Sequence, residues 1–252
     1  MMYRAYSLRV DDDTFSGYLS DGEAVKRANN YAAQGGLDAF FDGDGNLIAT
    51  KIIEDWFPKM KADVFISHSH KDEALAIQLA GWLKDKLGVS SFIDSCVWGY
   101  SPELLKKLDK NFCLKESGYY DYDRRNITNG HVNMMLATSL TKMIDQCECI
   151  IFLNTPNSIS CKGCIESDGT KSPWIYAEIE ATRLLRKNTP ERRRTLVKAS
   201  TEGGVIVMDE AISVKYDLDL KHLLLLDKSQ ILKLHNSGKT GTDALDFLYD
   251  SI

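Results

Sequence analysis

The chain has 252 residues, a formal net charge of −5, 44% hydrophobic residues and 27% charged residues. Such a composition is that of a globular protein with room for one large domain and an appendage, or for two small domains. Mild acidity speaks against a nucleic-acid partner, whose footprint is a concentrated basic surface. No apolar run nears the roughly 18 residues of a membrane helix, and MMYRAYSLRVDDD at the start lacks the apolar segment of a signal peptide.

Residues 1–60 read as a small α+β N-terminal extension of unassigned role. SDGEAVKRANNYAA, from Ser20, carries a helix start signal and good helix formers. In the following FFDGDGNLIATKIIEDWFPK, the segment DGDGN invites a calcium-loop reading. With Asp42 as the first position, the sixth is Leu47 where such a loop needs Gly, and the twelfth is Ile53 where it needs Glu, so the segment reads as a turn. Pro58 closes this stretch, and a boundary falls near residue 60.

From there strands and helices alternate. ADVFIS (Ala62–Ser67) is a short apolar run that suits a buried strand, and KDEALAIQLAGWLKDKL continues with helical spacing. VSSFID (Val89–Asp94) is a second strand. A longer irregular stretch with Trp98, Tyr119, Tyr120 and Tyr122 leads to a helix over His131–Gln146. CECIIFLN (Cys147–Asn154) is the third strand, followed by the loop NTPNSISCKGCIESDGTKSP and a helix over Ser172–Lys187. GGVIVMD (Gly203–Asp209) and HLLLLD (His222–Asp227) read as further strands, and TDALDFLYDSI as a closing helix capped near Thr242. The alternation implies an α/β fold, a parallel sheet with helices on both faces. For five such strands the flavodoxin-like order 2-1-3-4-5 is the default. It opens a crevice at the carboxyl ends of the first and third strands, after Ser67 and Asn154.

The first crevice loop is Ser67-His68-Ser69-His70-Lys71-Asp72. Ser69 with Asp72 three residues on has the form of a capping box, and a capped helix N-terminus at a strand end also suits a phosphate. The third-strand helix carries two glutamates. At 100° per residue from Trp174, Glu178 falls near 40°, bracketed by Leu185 and Ala181, whereas Glu180 falls near 240° on the side of Tyr176, Arg183 and Lys187. Trp174 and Glu178, four apart, are stacked neighbours. A carboxylate beside an indole at a crevice is a candidate functional acid, and a local cap or salt bridge is its plain alternative.

Other motifs carry less. Six cysteines without a secretion signal read as reduced thiols, and the single Cys161-Lys-Gly-Cys164 lacks the two further ligands that zinc needs, so no metal is expected. SGKTGT lacks the glycine spacing and preceding strand of a phosphate loop and reads as a turn and helix cap. PERRRTLVK is a local basic patch, a solvated loop or else a phosphate or docking site.

ADVFISHSHKDEALAIQLAGWL resembles the first conserved box of TIR domains, the Toll/interleukin-1 receptor fold, and VSSFID resembles their second strand. CECIIFLNTPNS with SPWIYAEIEA resembles the third strand, its loop and the Trp-x-x-x-Glu helix of NAD-cleaving TIR proteins. The likeness covers residues 61–252 and is closest to bacterial TIRs of anti-phage defence, the Thoeris type among them. It implies a flavodoxin-like fold, cytoplasmic location, NAD+ as substrate with no cofactor, and Glu178 as catalytic carboxylate. It further implies a pocket lined by Trp174 and by Ser67, His68, Ser69 and Asp72. Asp94 and Trp98, at and after the second strand, are added as substrate-binding candidates, Trp98 being equally open to a packing role. The family would also imply self-association on activation and a nucleotide product acting on a downstream effector. After the second strand the sequence departs from the receptor pattern: SCVWGYSPELL stands in place of an Arg-Asp-x-x-Pro-Gly-like loop, with an insertion to about His131. A non-enzymatic self-assembly module and a nucleoside deoxyribosyltransferase-like enzyme are the competing expectations.

Overall fold

In the computed structural model, residues 2–29, 36–93, 101–159, 169–193 and 216–251 are described. Asp94, Trp98, Cys161, Cys164 and the strand expected at 203–209 lie outside them. The described strands are β1 (Arg4–Arg9), β2 (Val64–Ser67), β3 (Ser91–Phe92), β4 (Cys149–Leu153), β5 (Gly169–Thr170), β6 (Tyr216–Asp217) and β7 (Leu224–Asp227). Five of them form one parallel sheet in the order β3-β2-β4-β1-β7, while β5 and β6 pair antiparallel by themselves. The chain is thus α/β with a flavodoxin-like parallel sheet.

The expected division at residue 60 does not separate an extension from the sheet. β1 lies inside it, hydrogen-bonded to β4 on one side and β7 on the other. Counted from residue 62, the first three places hold as expected: 91–92, 64–67, 149–153. The fourth place is taken by β1. Its residues suit the position because Tyr6 and Leu8 bury on one face and Ala5 on the other, the period-two pattern of a strand covered on both sides.

The described helices are α1 (Leu19–Asn29), α2 (Ala49–Trp56), α3 (Glu73–Leu87), α4 (Ser101–Phe112), α5 (Tyr122–Gln146), α6 (Pro173–Leu184), α7 (Lys228–Asn236) and α8 (Gly241–Asp250). On one face of the sheet, Phe65, Phe92, Ile150 and Phe152 pack against apolar residues of α2, α4, α5 and α6. On the other, Tyr6, Leu8, Val64, Ile66, Ile151 and Leu226 pack against α3, α7 and α8. α1 joins this second layer through a close crossing with α3: a Cβ on Gly22 would stand 2.0 Å from the Ile77 carbonyl oxygen, and one on Gly81 2.3 Å from that of Tyr18. Only glycine lets the two backbones approach so closely. α4 is a helix within the stretch read from sequence as irregular, α2 and α7 are helices in segments to which the sequence reading gave no element, and α5 begins nine residues before the expected His131. DGDGN is a turn as expected, with the Asp42 carboxylate accepting from the Asp44 and Asn46 amides and Gly45 at φ +83°. No helix among the described residues is long and apolar enough to cross a membrane.

β2 and β4 are parallel neighbours whose chains leave in opposite directions, β2 into α3 on one face and β4 toward α6 on the other. That divergence opens a crevice at their carboxyl ends.

Candidate active site

Ser67 ends β2, and its side chain faces the layer that holds α6. α6 starts cleanly: the Ser172 hydroxyl accepts from the Ile175 amide, and Pro173 occupies the first turn, where its missing N–H costs nothing. Ile175, Ile179 and Ala181 bury one stripe of the helix in the core. Glu178 lies on that stripe and is only 3% exposed. Its Oε2 accepts a hydrogen bond from the Ser67 hydroxyl at 2.5 Å, across 111 residues of sequence. Glu180 does what the helical wheel expected of it, pairing with Arg183 at 3.1 Å. Trp174, one turn before Glu178, is half-buried against the same core.

Asp72 does not close a capping box. Ser69 caps a short turn by accepting from the Lys71 amide at 3.4 Å. The Asp72 carboxylate reaches across the crevice instead, accepting from the Thr155 hydroxyl at 2.5 Å and the Asn157 side-chain amide at 2.6 Å. Thr155 and Asn157 belong to the loop after β4, which is knotted by Ser158: its hydroxyl donates to the Leu153 carbonyl at 2.7 Å and accepts from the Thr155 amide at 2.9 Å. Asp72 is therefore the clasp between the two crevice loops. A buried carboxylate served by two such donors is well satisfied. His68 is buried beside Ser67, at 8% exposure.

The structure adds residues that the sequence reading passed over. Asn154, first after β4, lies against β1. With its amide oxygen turned toward β1, it accepts from Ser7 Oγ at 2.9 Å and from Arg9 Nε and Nη2 at 3.2 and 3.3 Å. Ser7 and Arg9, polar residues alternating with Tyr6 and Leu8 in β1, were the signal available for this.

No family model matches the chain, and no curated protein or solved structure matches it either.

Among the described residues no group of three or more His, Cys, Asp or Glu is placed to hold a metal ion. The described part of the basic run, to Arg193, lies at the opposite, amino edge of the sheet, and Arg192 and Arg193 are paired there. Arg192 meets both Glu148 oxygens at 2.6 and 2.9 Å and Asp246 at 2.8 Å, while Arg193 pairs with Asp246 and Asp250. Both guanidiniums serve as fold staples. Cys147 and Cys149 lie buried in the same region, and burial pushes the Cys147 thiol up to about 12. Such thiols are protonated and inert at neutral pH.

The crevice thus holds a buried carboxylate fixed by a strand-end hydroxyl, an indole one turn away on the same helix, and a clasp that holds the surrounding loops. A carboxylate so placed can hold sugar hydroxyls or stabilise a developing positive charge.

Proposed function

We propose that the chain is a TIR-type NAD+ glycohydrolase or cyclase that works in the cytoplasm and makes an ADP-ribose-derived signal in bacterial anti-phage defence. The observation that carries the reading is the Ser67–Glu178 hydrogen bond at the carboxyl edge, one turn beyond Trp174. It joins the two sequence boxes that resemble NAD-cleaving TIRs.

The chemistry asks little beyond this. The bond between ribose C1′ and the nicotinamide nitrogen breaks, and its electron pair leaves with nicotinamide, which departs neutral. The sugar passes through an oxocarbenium-like state, as in glycoside hydrolysis. Because the leaving group is already cationic, no strong general acid is needed. Glu178 holds the ribose hydroxyls and stabilises the positive charge, Ser67 fixes the carboxylate, and Trp174 gives an apolar wall. Water then supplies an electron pair to C1′ and loses a proton to solvent, giving ADP-ribose. With water excluded, an adenine nitrogen captures C1′ and gives a cyclic product. Self-association on activation and a downstream effector that reads the product complete the reading.

The test is mass spectrometry of the products formed from NAD+. The wild type is expected to release nicotinamide, Glu178→Gln to lose about a hundredfold to a thousandfold in rate, as when a charge-stabilising group is removed, and Glu180→Gln to stay within about twofold. Equal loss in both variants, or none in Glu178→Gln, would sink the assignment. The burial of Glu178 favours one second reading: a tie that fastens α6 to the sheet in a non-enzymatic self-assembly module. In that case Glu178→Ala, which removes the acceptor for Ser67, lowers the melting temperature and no wild-type preparation, assembled or not, turns over NAD+.

A further inference from the structure

The polar carboxyl edge continues past the Ser67–Glu178 pair. Ser67 and Ser7 are both in register with Phe152, so the three stand in one row across β2, β4 and β1. At about 4.8 Å per strand, the two serines lie roughly 10 Å apart. Arg9 and Asn154, two residues beyond Ser7 and Phe152, fall on the same face and one step nearer the edge. With its oxygen turned toward β1, the Asn154 amide accepts from Nε and Nη2 of Arg9. A guanidinium has five N–H donors, so the side chain is oriented without being used up.

Its charge is open as well. Arg125, Arg183, Arg192 and Arg193 are paired with carboxylates, whereas Arg9, which is exposed, makes no ion pair among the described residues, a state it shares with Arg4, Arg27, Arg124 and Arg186. It lines a cavity of about 420 Å³ at the carboxyl ends of β1 and β7, together with Val10, Asp11, Asp227, Lys228 and Ser229. The other charges there have partners. Lys228 meets Asp11 at 3.1 Å, and Asp227 accepts from the Gln230 amide at 3.0 Å and the Ser229 hydroxyl at 2.7 Å. Arg9 is left to supply a cation to a ligand that enters from the crevice.

We propose that Arg9, positioned by Asn154, anchors the diphosphate of a dinucleotide whose nicotinamide ribose lies at Glu178, with the cavity beyond Arg9 receiving the other half. The assignment rests on the NAD+ reading above. The spacing suits it, since a single ribose lies between the scissile bond and the diphosphate. A guanidinium fork matches two phosphate oxygens in a way an ammonium does not.

Titration calorimetry with inorganic pyrophosphate on the full chain tests the anchor without needing turnover. The wild type and Glu178→Gln are expected to bind alike, and Arg9→Gln about tenfold or more weakly, the size of a lost charge-assisted pair. Arg9→Lys, which keeps the charge, falls between and covers the case in which Arg9→Gln does not fold. In turnover, Arg9→Gln raises KM for NAD+ by a similar factor with little change in kcat, and leaves nicotinamide riboside, which has no phosphate, unaffected. Failure of the wild type to bind pyrophosphate, binding that survives Arg9→Gln, or equal loss with the riboside overturns the anchor. Pyrophosphate bound through Arg9 by a wild type that releases no nicotinamide leaves the anchor standing and removes the reaction.

Discussion

The two edges of the sheet satisfy their carboxylates differently. At the amino edge, Glu148, Asp246 and Asp250 are met by Arg192 and Arg193, with the Tyr249 hydroxyl adding a bond to Glu148 at 2.9 Å. Charge there is cancelled inside the fold. At the carboxyl edge, the bonds that define the crevice run from hydroxyls and amides: Ser67 to Glu178, Thr155 and Asn157 to Asp72. Neutral donors orient these two carboxylates, and the cation nearby, Arg9, is met by the Asn154 amide once its oxygen is turned toward β1. The amino edge therefore reads as stability and the carboxyl edge as a place prepared for a polar ligand.

The largest effect expected comes from cutting where the sequence suggested a boundary. A chain beginning at residue 61 loses β1, a strand paired on both sides whose Ala5, Tyr6 and Leu8 are at most 2% exposed. It also loses α1, whose Gly22 meets α3. The truncated chain is expected to show no cooperative thermal transition by circular dichroism. A normal melt would mean that the two edges do not depend on the N-terminal strand that joins them.

Next comes a paired test of the edges themselves. Glu148→Ala strands two guanidinium nitrogens and a buried tyrosine hydroxyl, at a cost of about 2–3 kcal/mol. In a chain of this size that lowers the melting temperature by several degrees. The rate of NAD+ turnover per folded molecule should not move. Glu178→Gln should do the reverse, keeping most of the stability because an amide oxygen still accepts from Ser67. If Glu148→Ala also reduced the rate at a temperature well below its melt, the separation of roles would fail.

Asp72→Asn is a smaller perturbation. It keeps one acceptor of the clasp and loses the charge, so about 1 kcal/mol of stability is expected to go. KM for NAD+ should rise more than kcat falls, because the crevice loops hold their positions less well. Unchanged stability and kinetics would show that the loops are fixed by Ser158 and the Thr155 backbone alone.

What was legible in the sequence was what local periodicity determines. The 100° spacing separated Glu178 from Glu180 because a helix imposes it whatever the tertiary context. The three strands ending at Ser67, Phe92 and Leu153 showed as apolar runs because both of their faces are buried. β1 did not, for a physical reason: the residues that face the crevice, Ser7 and Arg9, are polar, so the strand that lines the site lacks the apolar pattern by which strands are recognised. Asp72 misled in the opposite way. Its local spacing from Ser69 fits a cap, but its partners lie 83 and 85 residues away, a distance no local motif reports.

The smallest effect expected is a pH dependence located behind the candidate site. The Thr182 hydroxyl donates to the Ile179 carbonyl at 2.7 Å, so its oxygen is left to accept from His222 Nε2 at 2.8 Å. This places the neutral ring's proton on Nε2, and protonation would add a second N–H at Nδ1, an atom shut off from solvent. Burial, with Arg183 and Lys187 nearby, holds the His222 pKa below its ordinary 6.5, against the weaker opposing pull of Asp219. The unfolded chain therefore takes up the proton first as pH falls. The contribution is fully present above 6.5 and is lost as pH drops through the lowered folded-state value. His222→Gln should remove that part of the slope, a difference under about 1 kcal/mol. Chemical denaturation at pH 7.5 and 5.5 measures it: the wild type should lose more stability than the variant between the two. The same loss in both would mean that the acid sensitivity sits elsewhere. Because His222 touches α6 one turn beyond Glu178, a parallel change in NAD+ turnover over that window would tie α6 to the rate, and its absence would confine His222 to stability, the role assigned above to the amino edge.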